Sequence, residues 1–286
     1  MCGRYFLDTL PELLAEQFRV HEYPVYPVSY NIAPTQPMLI LRRHGDEDEW
    51  AWVRWGLVPH WAKDLAIGAR MINARGETVA EKPAFRGAFR YRRCVVPASG
   101  FYEWRAQAGG KQPFAIVPTD AACFGLAGLW EHWTAPDGSV VETSSVLTTT
   151  PNDLMATIHD RMPVILDPAD YQTWMQAAPA DASALIRPFP AARMRAYPVS
   201  KAVGNVRNNS PELVVPATQD CGLCPRSVAG FAKSSRAEPA PTGESKPELA
   251  GRARPPQVKR SQSSRAEPAP TGEAKPELAG RARSRR

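Results

Sequence analysis

The sequence predicts an α+β fold: a single domain with a mixed, partly barrel-like β-sheet and a few short helices, followed by a disordered C-terminal tail. Three observations predict it. Seven runs rich in β-branched and aromatic residues lie between residues 38 and 200, separated by turn residues. Only three short stretches carry helical spacing, and no regular strand–helix–strand alternation appears. After about Pro225 the composition shifts to Pro, Ser, Ala, Arg and Glu, with Phe231 the only aromatic. Such a segment buries too little apolar surface to offset its ordering entropy. The domain is therefore expected over residues 2–220 and the tail over 225–286.

The elements follow in order. PELLAEQF (11–18) is a short amphipathic helix, with Asp8 or Thr9 as its expected cap. MLILRR (38–43) and EWAWVRWGLV (49–58) read as strands joined by a turn at HGDED. RCVVPASGFYEWRA (93–106) reads as one long strand, and Ala108-Gly109-Gly110 as the hairpin turn into PFAIVP (113–118). CFGLAGLWEHWT (123–134) and SVVETSSVLTTT (139–150) are further strands. PNDLMATI (151–158), with Thr150 or Asn152 near its start, and ADYQTWMQ (169–176) are helical, and RMRAYPVS (193–200) is a late strand. Trp50, Trp52 and Trp55 are all assigned to the core.

The 286 residues carry a net charge of +6, but the charge is unevenly placed. Residues 225–286 hold 14 Lys and Arg against 6 Asp and Glu, leaving 21 against 23 in residues 1–224. Any nucleic-acid surface on the domain must then come from local clustering, as at Arg86, Arg90, Arg92 and Arg93. The tail contains a direct repeat: residues 234–254 recur at 263–283 with one difference, Ser245 against Ala274. Without a hydrophobic face, two copies do not make a solenoid. No run of apolar residues is long enough for a membrane helix, and the start carries charges where a signal peptide is apolar. Five cysteines, Cys2, Cys94, Cys123, Cys221 and Cys224, are too few for a disulfide framework and fit a reducing cytoplasm. Cys94 and Cys123 sit in apolar runs and read as buried small hydrophobes. Cys221-Gly-Leu-Cys224 lacks the second ligand pair that zinc requires, so neither metal nor cofactor is expected.

Cys2 is the most informative residue. Loss of Met1 would leave it with an α-amine and a thiol on adjacent carbons, titrating near ~8 and ~8.5. A 1,2-aminothiol attacks an aldehyde through its amine and closes through its thiol to a thiazolidine, which points to covalent chemistry. Five runs place polar residues in apolar context: Cys-Gly-Arg at 2–4, Tyr-Asn-Ile-Ala-Pro at 30–34, Ile-Asn-Ala-Arg-Gly-Glu-Thr at 72–78, Gly-Phe-Tyr-Glu-Trp at 100–104 and Ile-His-Asp-Arg-Met-Pro at 158–163. A sixth, Pro-Val-Ser-Lys-Ala-Val-Gly-Asn-Val-Arg-Asn, spans 198–208. Glu103, among Phe101, Tyr102 and Trp104, is partly desolvated and suited to proton transfer, unless it is a surface residue of an alternating strand. His159 suits proton transfer at neutral pH, or is a core histidine bonded to backbone. Asn73 offers an amide to an oxyanion or to the aminothiol, or shapes a turn. Arg4 would lower the Cys2 thiol pKa and hold phosphate. Asp160 and Arg161 read as a structural pair, and Arg75 as a partner for Glu77, Glu103 or phosphate.

Taken in register, the six runs resemble the SRAP family (SOS response-associated peptidase), over residues 2 to about 215. The resemblance implies the SRAP fold and a protein that cross-links to abasic sites in single-stranded DNA. Cys2, exposed by autoproteolysis or an aminopeptidase, would form a thiazolidine with C1′ of the opened sugar. It implies Cys2, Asn73, Glu103 and His159 as the catalytic set, with Glu103 shuttling protons and His159 assisting ring opening or holding the 3′ phosphate. It implies DNA contacts from Arg4, Asn31, Pro34, Trp61, Arg75, Arg161, Ser200, Lys201 and Arg207. Family members wedge a tryptophan near Trp61, and this chain departs from the double-Trp form in having Ala62 next. Expected partners are abasic single-stranded DNA and replication or repair proteins, with the chain a monomer in the cytoplasm near the nucleoid. Two other functions stay open: a cysteine peptidase of wider range, and a non-covalent binder of modified or single-stranded DNA.

Overall fold

In the computed structural model, residues 2–217 are described. The strands are β1 (Tyr5–Leu7), β2 (Ser29–Ile32), β3 (Pro37–His44), β4 (Glu47–Trp55), β5 (Asn73–Arg75), β6 (Arg93–Ala98), β7 (Gly100–Gln107), β8 (Gly110–Pro118), β9 (Phe124–Thr134), β10 (Val140–Thr149), β11 (Met162–Pro163), β12 (Ile165–Leu166) and β13 (Met194–Pro198). The helices are α1 (Pro11–Phe18), α2 (Arg86–Tyr91), α3 (Asp153–Ala156), α4 (Tyr171–Gln176) and α5 (Pro179–Ala184). One sheet runs β11-β10-β4-β3-β6-β9-β12, and the β9–β10 pairing closes β10, β4, β3, β6 and β9 into a barrel. β5 adds to β10 in parallel. A second sheet runs β13-β8-β7-β1-β2. The expected mixed, barrel-like α+β architecture is what forms. The tail repeat, Cys221 and Cys224 lie outside the described residues.

Alternation assigns the faces of the second sheet. Tyr5, Leu7, Phe101 and Ile116 join the main core, whereas Phe6, Tyr102, Ala115 and Val117 join a smaller cluster with Val199, Val203 and Leu213. Glu103 has the parity of Phe101 and so lies on the main-core side.

Two expectations are corrected locally. The run 93–106 is two strands, because the chain changes sheets at Ser99. The Ser99 amide donates to the Phe6 carbonyl (2.9 Å), and its hydroxyl oxygen accepts from the Asp8 and Thr9 amides. Gly100 fits there because a Cβ would meet the Phe6 ring at 2.5 Å. α1 is not capped by Asp8 or Thr9: Leu10 is its N-cap without a side-chain bond, and Pro11 starts it. Thr9 is occupied at Ser99 instead.

The expected arginine cluster at 86–93 loses Arg93 to the interior. Arg93 is 4% exposed and donates to the carbonyls of Phe89 (2.5 Å), Arg90 (3.3 Å), Trp174 and Ala177. It closes the C-terminal ends of α2 and α4, where carbonyls lack helical partners and a cation is favoured. No carboxylate pairs with it among the described residues. Arg93→Met should lower stability by roughly 2–4 kcal/mol, since orphaned carbonyls outweigh the relief of desolving the guanidinium. Urea denaturation tests this through a lower midpoint at constant slope, and an unchanged midpoint would refute it.

Candidate active site

The amino-terminal strand carries Cys2 into the seam between the barrel and the second sheet. Tyr5 pairs with Phe101, and the Tyr102 amide donates to the Arg4 carbonyl (2.9 Å). Ahead of β1 the chain leaves the strand, and Cys2 sits in the main core, where the charge of Glu103 acts on its thiol. From the barrel side, pairing of Asn73 with Val146 places Asn73 at the start of β5. Its Nδ2 donates to the Cys2 carbonyl (2.9 Å), while its buried Oδ1 accepts nothing among the described residues. Asn73 thus holds the Cys2 backbone.

Trp55 helps set this geometry. It is fully buried, donates from Nε1 to the Ile72 carbonyl (2.9 Å), and meets the Tyr5 ring edge-on at 5.4 Å. Its contacts join the residue before Asn73 to the strand that follows Cys2. Trp50 is half-buried against Phe18, but Trp52 is 46% exposed, which corrects its placement in the core.

Glu103 is 4% exposed. His159 Nε2 lies 3.9 Å from Glu103 Oε1, an electrostatic contact too long for a hydrogen bond. His159 follows α3, whose N-cap Asn152 accepts from the Met155 amide (2.9 Å). Two neighbours compete for His159 Nδ1: the Arg161 amide at 3.0 Å and Asp160 Oδ1 at 2.9 Å. A neutral ring nitrogen cannot accept from one and donate to the other. The amide is fixed by the backbone, whereas Asp160 is 87% exposed on its side chain and free to turn into water. We therefore assign Nδ1 as acceptor and place the neutral ring's proton on Nε2, facing Glu103.

Cys2 is 1% exposed, and burial, followed by the charge of Glu103, pushes its thiol up to about 12. Arg4 lowers the thiol only through a backbone hydrogen bond, the smallest of the causes, and not through its charge as expected. The Arg4 guanidinium is turned away, donating from Nη1 to Asn31 Oδ1 and the Val203 carbonyl, both at 2.9 Å. Cys94 and Cys123 are likewise buried, with thiols raised to about 12 by burial. All three should alkylate roughly a thousandfold more slowly than free cysteine at pH ~8 while Met1 precedes Cys2. Iodoacetamide labelling with peptide mapping measures this, and ready labelling of Cys2 in the folded chain would contradict its burial.

The late motif reaches the site through the same contacts. Asn31, 3% exposed, donates from Nδ2 to the carbonyls of Val203, Asn205 and Asn208. It braces the segment bearing Ser200, Lys201 and Arg207, all exposed. Ser200 Oγ accepts from the Ala202 amide (3.2 Å). Gly204 of this segment lines an open pocket of about 440 Å³ with Glu103, Trp104, Lys111 and His159. Lys111 was invisible in the sequence, since only the β7–β8 register (Ala106 opposite Lys111) brings it here.

The pairing of Asp160 with Arg161 is corrected. Arg161 binds Glu77 through both amino nitrogens (2.5 and 2.9 Å) and donates to the Thr148 carbonyl (2.7 Å). This contact leads the lowering of the Glu77 pKa. The Arg75 side chain is left exposed without a hydrogen bond or salt bridge among the described residues, although its charge contributes to the lowering at Glu77. Pro34 is half-buried beside Thr35, whose φ of 71° is strained for a β-branched residue. Trp61 is 52% exposed on a loop tethered by Trp133 Nε1 donating to the Ala62 carbonyl (2.6 Å).

Cys2 is thus a buried thiol at the seam of a β-barrel fold, held by the Asn73 amide near the Glu103 carboxylate and the His159 imidazole. The family model for SOS response associated peptidase (SRAP) matches residues 1–206, and the chain belongs to that family. The abasic site processing protein YoqW of Bacillus subtilis (strain 168) is 42% identical over 221 residues, covering 75% of this chain and 99% of the relative. The abasic site processing protein HMCES of Gallus gallus is 33% identical, covering 73% and 71%. A crystal structure of a protein from Bacteroides thetaiotaomicron matches with TM-score 0.68 at 26% identity, covering 76% of this chain and all of that one.

Proposed function

We propose that this chain processes abasic sites in single-stranded DNA by capturing them covalently on Cys2. The observation that carries the reading is the convergence of Cys2, Asn73 and the Glu103–His159 pair at one seam. The relatives named as abasic site processing proteins support it.

Loss of Met1, by the chain's own action or by an aminopeptidase, frees the α-amine of Cys2. The terminal ammonium, which already opposes the raised thiol from Met1, then sits on Cys2 itself and pulls the thiol down more strongly. The amine then attacks C1′ of the ring-opened sugar, and the carbinolamine loses one water to give a Schiff base. Sulfur adds to the imine carbon while the thiol proton passes to the imine nitrogen through Glu103. The product is a thiazolidine, and the net change is aldehyde plus aminothiol to ring plus water. Reversal through the Schiff base gives the lyase-type character. Asn73 holds Cys2, and His159 supplies Nε2–H to the opening sugar or its 3′ phosphate.

Arg75, Lys201 and Arg207, all exposed, serve the phosphates, with Ser200 beside them. Trp61 stacks on a base at the lesion and Pro34 forms the rim. Arg4, Asn31 and Arg161 act by bracing these groups. The chain works as a monomer in the cytoplasm on nucleoid DNA, with residues 225–286 as a basic tail. No helix among the described residues is long and apolar enough to cross a membrane.

The test mixes chain lacking Met1 with a single-stranded oligonucleotide bearing one abasic site, followed by a denaturing gel and intact mass. The expected adduct has the mass of chain plus oligonucleotide less one water. Folded chain lacking Met1 that gives no adduct would sink the reading.

A further inference from the structure

We propose a second DNA-binding surface, on α2, which takes the single strand flanking the lesion. It rests on the function proposed above. Of the arginines at 86–93, Arg93 is buried at helix ends and Arg92 donates to the buried Glu131 (2.6 Å). Arg86 and Arg90 are exposed, and their side chains make no hydrogen bond or salt bridge among the described residues. Tyr91 is 70% exposed, with the Arg90 guanidinium 5.2 Å from its ring centroid. These side chains border a cavity of about 500 Å³ together with Ala80 and Pro179.

Two unneutralised guanidiniums beside an exposed aromatic ring match a strand's repeating unit, a phosphate next to a base face. Glu81 and Asp181 lie within two residues of the lining in sequence, and among the described residues neither forms a salt bridge with Arg86 or Arg90. The platform is rigid where it matters. Phe89 is buried against Trp174, and Arg93 fixes the Phe89 and Arg90 carbonyls. Rigid groups lose less freedom on binding. A neutral or acidic protein surface would leave the stacking ring without a partner, so a polyanion with aromatic faces is the occupant we assign.

The test compares two abasic oligonucleotides, one confined to the lesion and its immediate neighbours and one of about 30 nucleotides, beyond the ~4–16 that a single compact site covers. Full-length parent, Arg86→Gln/Arg90→Gln and Tyr91→Ala are titrated by anisotropy over a salt series, with thermal melting to confirm folding. The double variant should flatten the salt slope on the long strand by about 1.4, from two contacts at roughly 0.7 each. Tyr91→Ala should weaken long-strand binding by about fivefold or more. Cross-linking of the short oligonucleotide at saturation should stay at the parent's yield in both. A double variant with the parent's affinity and slope on the long strand overturns the second surface and leaves the cross-linking function standing. A parent that cross-links neither oligonucleotide overturns that function, and this surface with it.

Discussion

Cys2→Ala is expected to abolish the denaturant-resistant adduct completely, while non-covalent binding to the same oligonucleotide stays within about twofold. The variant loses sulfur alone and keeps an α-amine once Met1 is removed. It can still form a Schiff base, but no ring closes, and the imine hydrolyses. Borohydride should therefore trap the alanine chain on abasic DNA, whereas the parent needs no reductant. The fold should tolerate the change, although a buried cysteine replaced by alanine forfeits up to about 1 kcal/mol of packing. Because Cys2 is 1% exposed, loss of binding along with the adduct would signal collapse of the seam, and melting separates the two cases. A denaturant-resistant adduct from Cys2→Ala without borohydride would exclude thiazolidine chemistry. A parent that binds without cross-linking would favour the non-covalent reading.

Much of the barrel was legible because its strands alternate. The β3–β4 hairpin, β8, β9 and β10 lie within three residues of their expected positions, and Asn152 caps α3. The failures have specific causes. A switch between sheets at Ser99 depends on a hydroxyl serving the Asp8 and Thr9 amides, 90 residues or more away in sequence, which no local pattern records. Short strands such as β5 and β11 form only because β10 offers open backbone edges. The tryptophans were separable: Ala51, Val53 and Trp55 share one parity and are buried, while Trp52 has the other and is exposed. Arg161 could not be matched to Glu77, nor Arg4 to Asn31, because long-range pairing decides both. The six runs marked where the site would lie, but not which charges would be spent on bracing it.

Glu103→Gln is expected to slow cross-linking by roughly 10²–10⁴-fold without loss of DNA affinity. Two effects oppose each other in this variant. Glu103 is the second cause, after burial, of the raised Cys2 thiol pKa, so removing its charge favours thiolate. Removing it also takes away the group placed to receive the thiol proton. Burial persists in the variant, which keeps the thiol far above neutral, so lost proton transfer outweighs the small gain in thiolate. Affinity for undamaged single strands should hold or rise, since a negative charge leaves a surface that meets phosphates. The signs are then distinct. A structural role for Glu103 would lower affinity, rate and melting temperature together, whereas a proton carrier lowers the rate alone. Single-turnover kinetics add a second readout. Without Glu103 the thiol must lose its proton to hydroxide, so the variant's rate should climb close to tenfold per pH unit from about 6 to 9, against a flatter parent. Glu103→Asp, which keeps a carboxylate on a shorter stem, should recover part of the rate. A glutamine variant that cross-links at the parent's rate and pH dependence would remove Glu103 from the chemistry and leave His159, 3.9 Å away, as the remaining proton carrier at the seam.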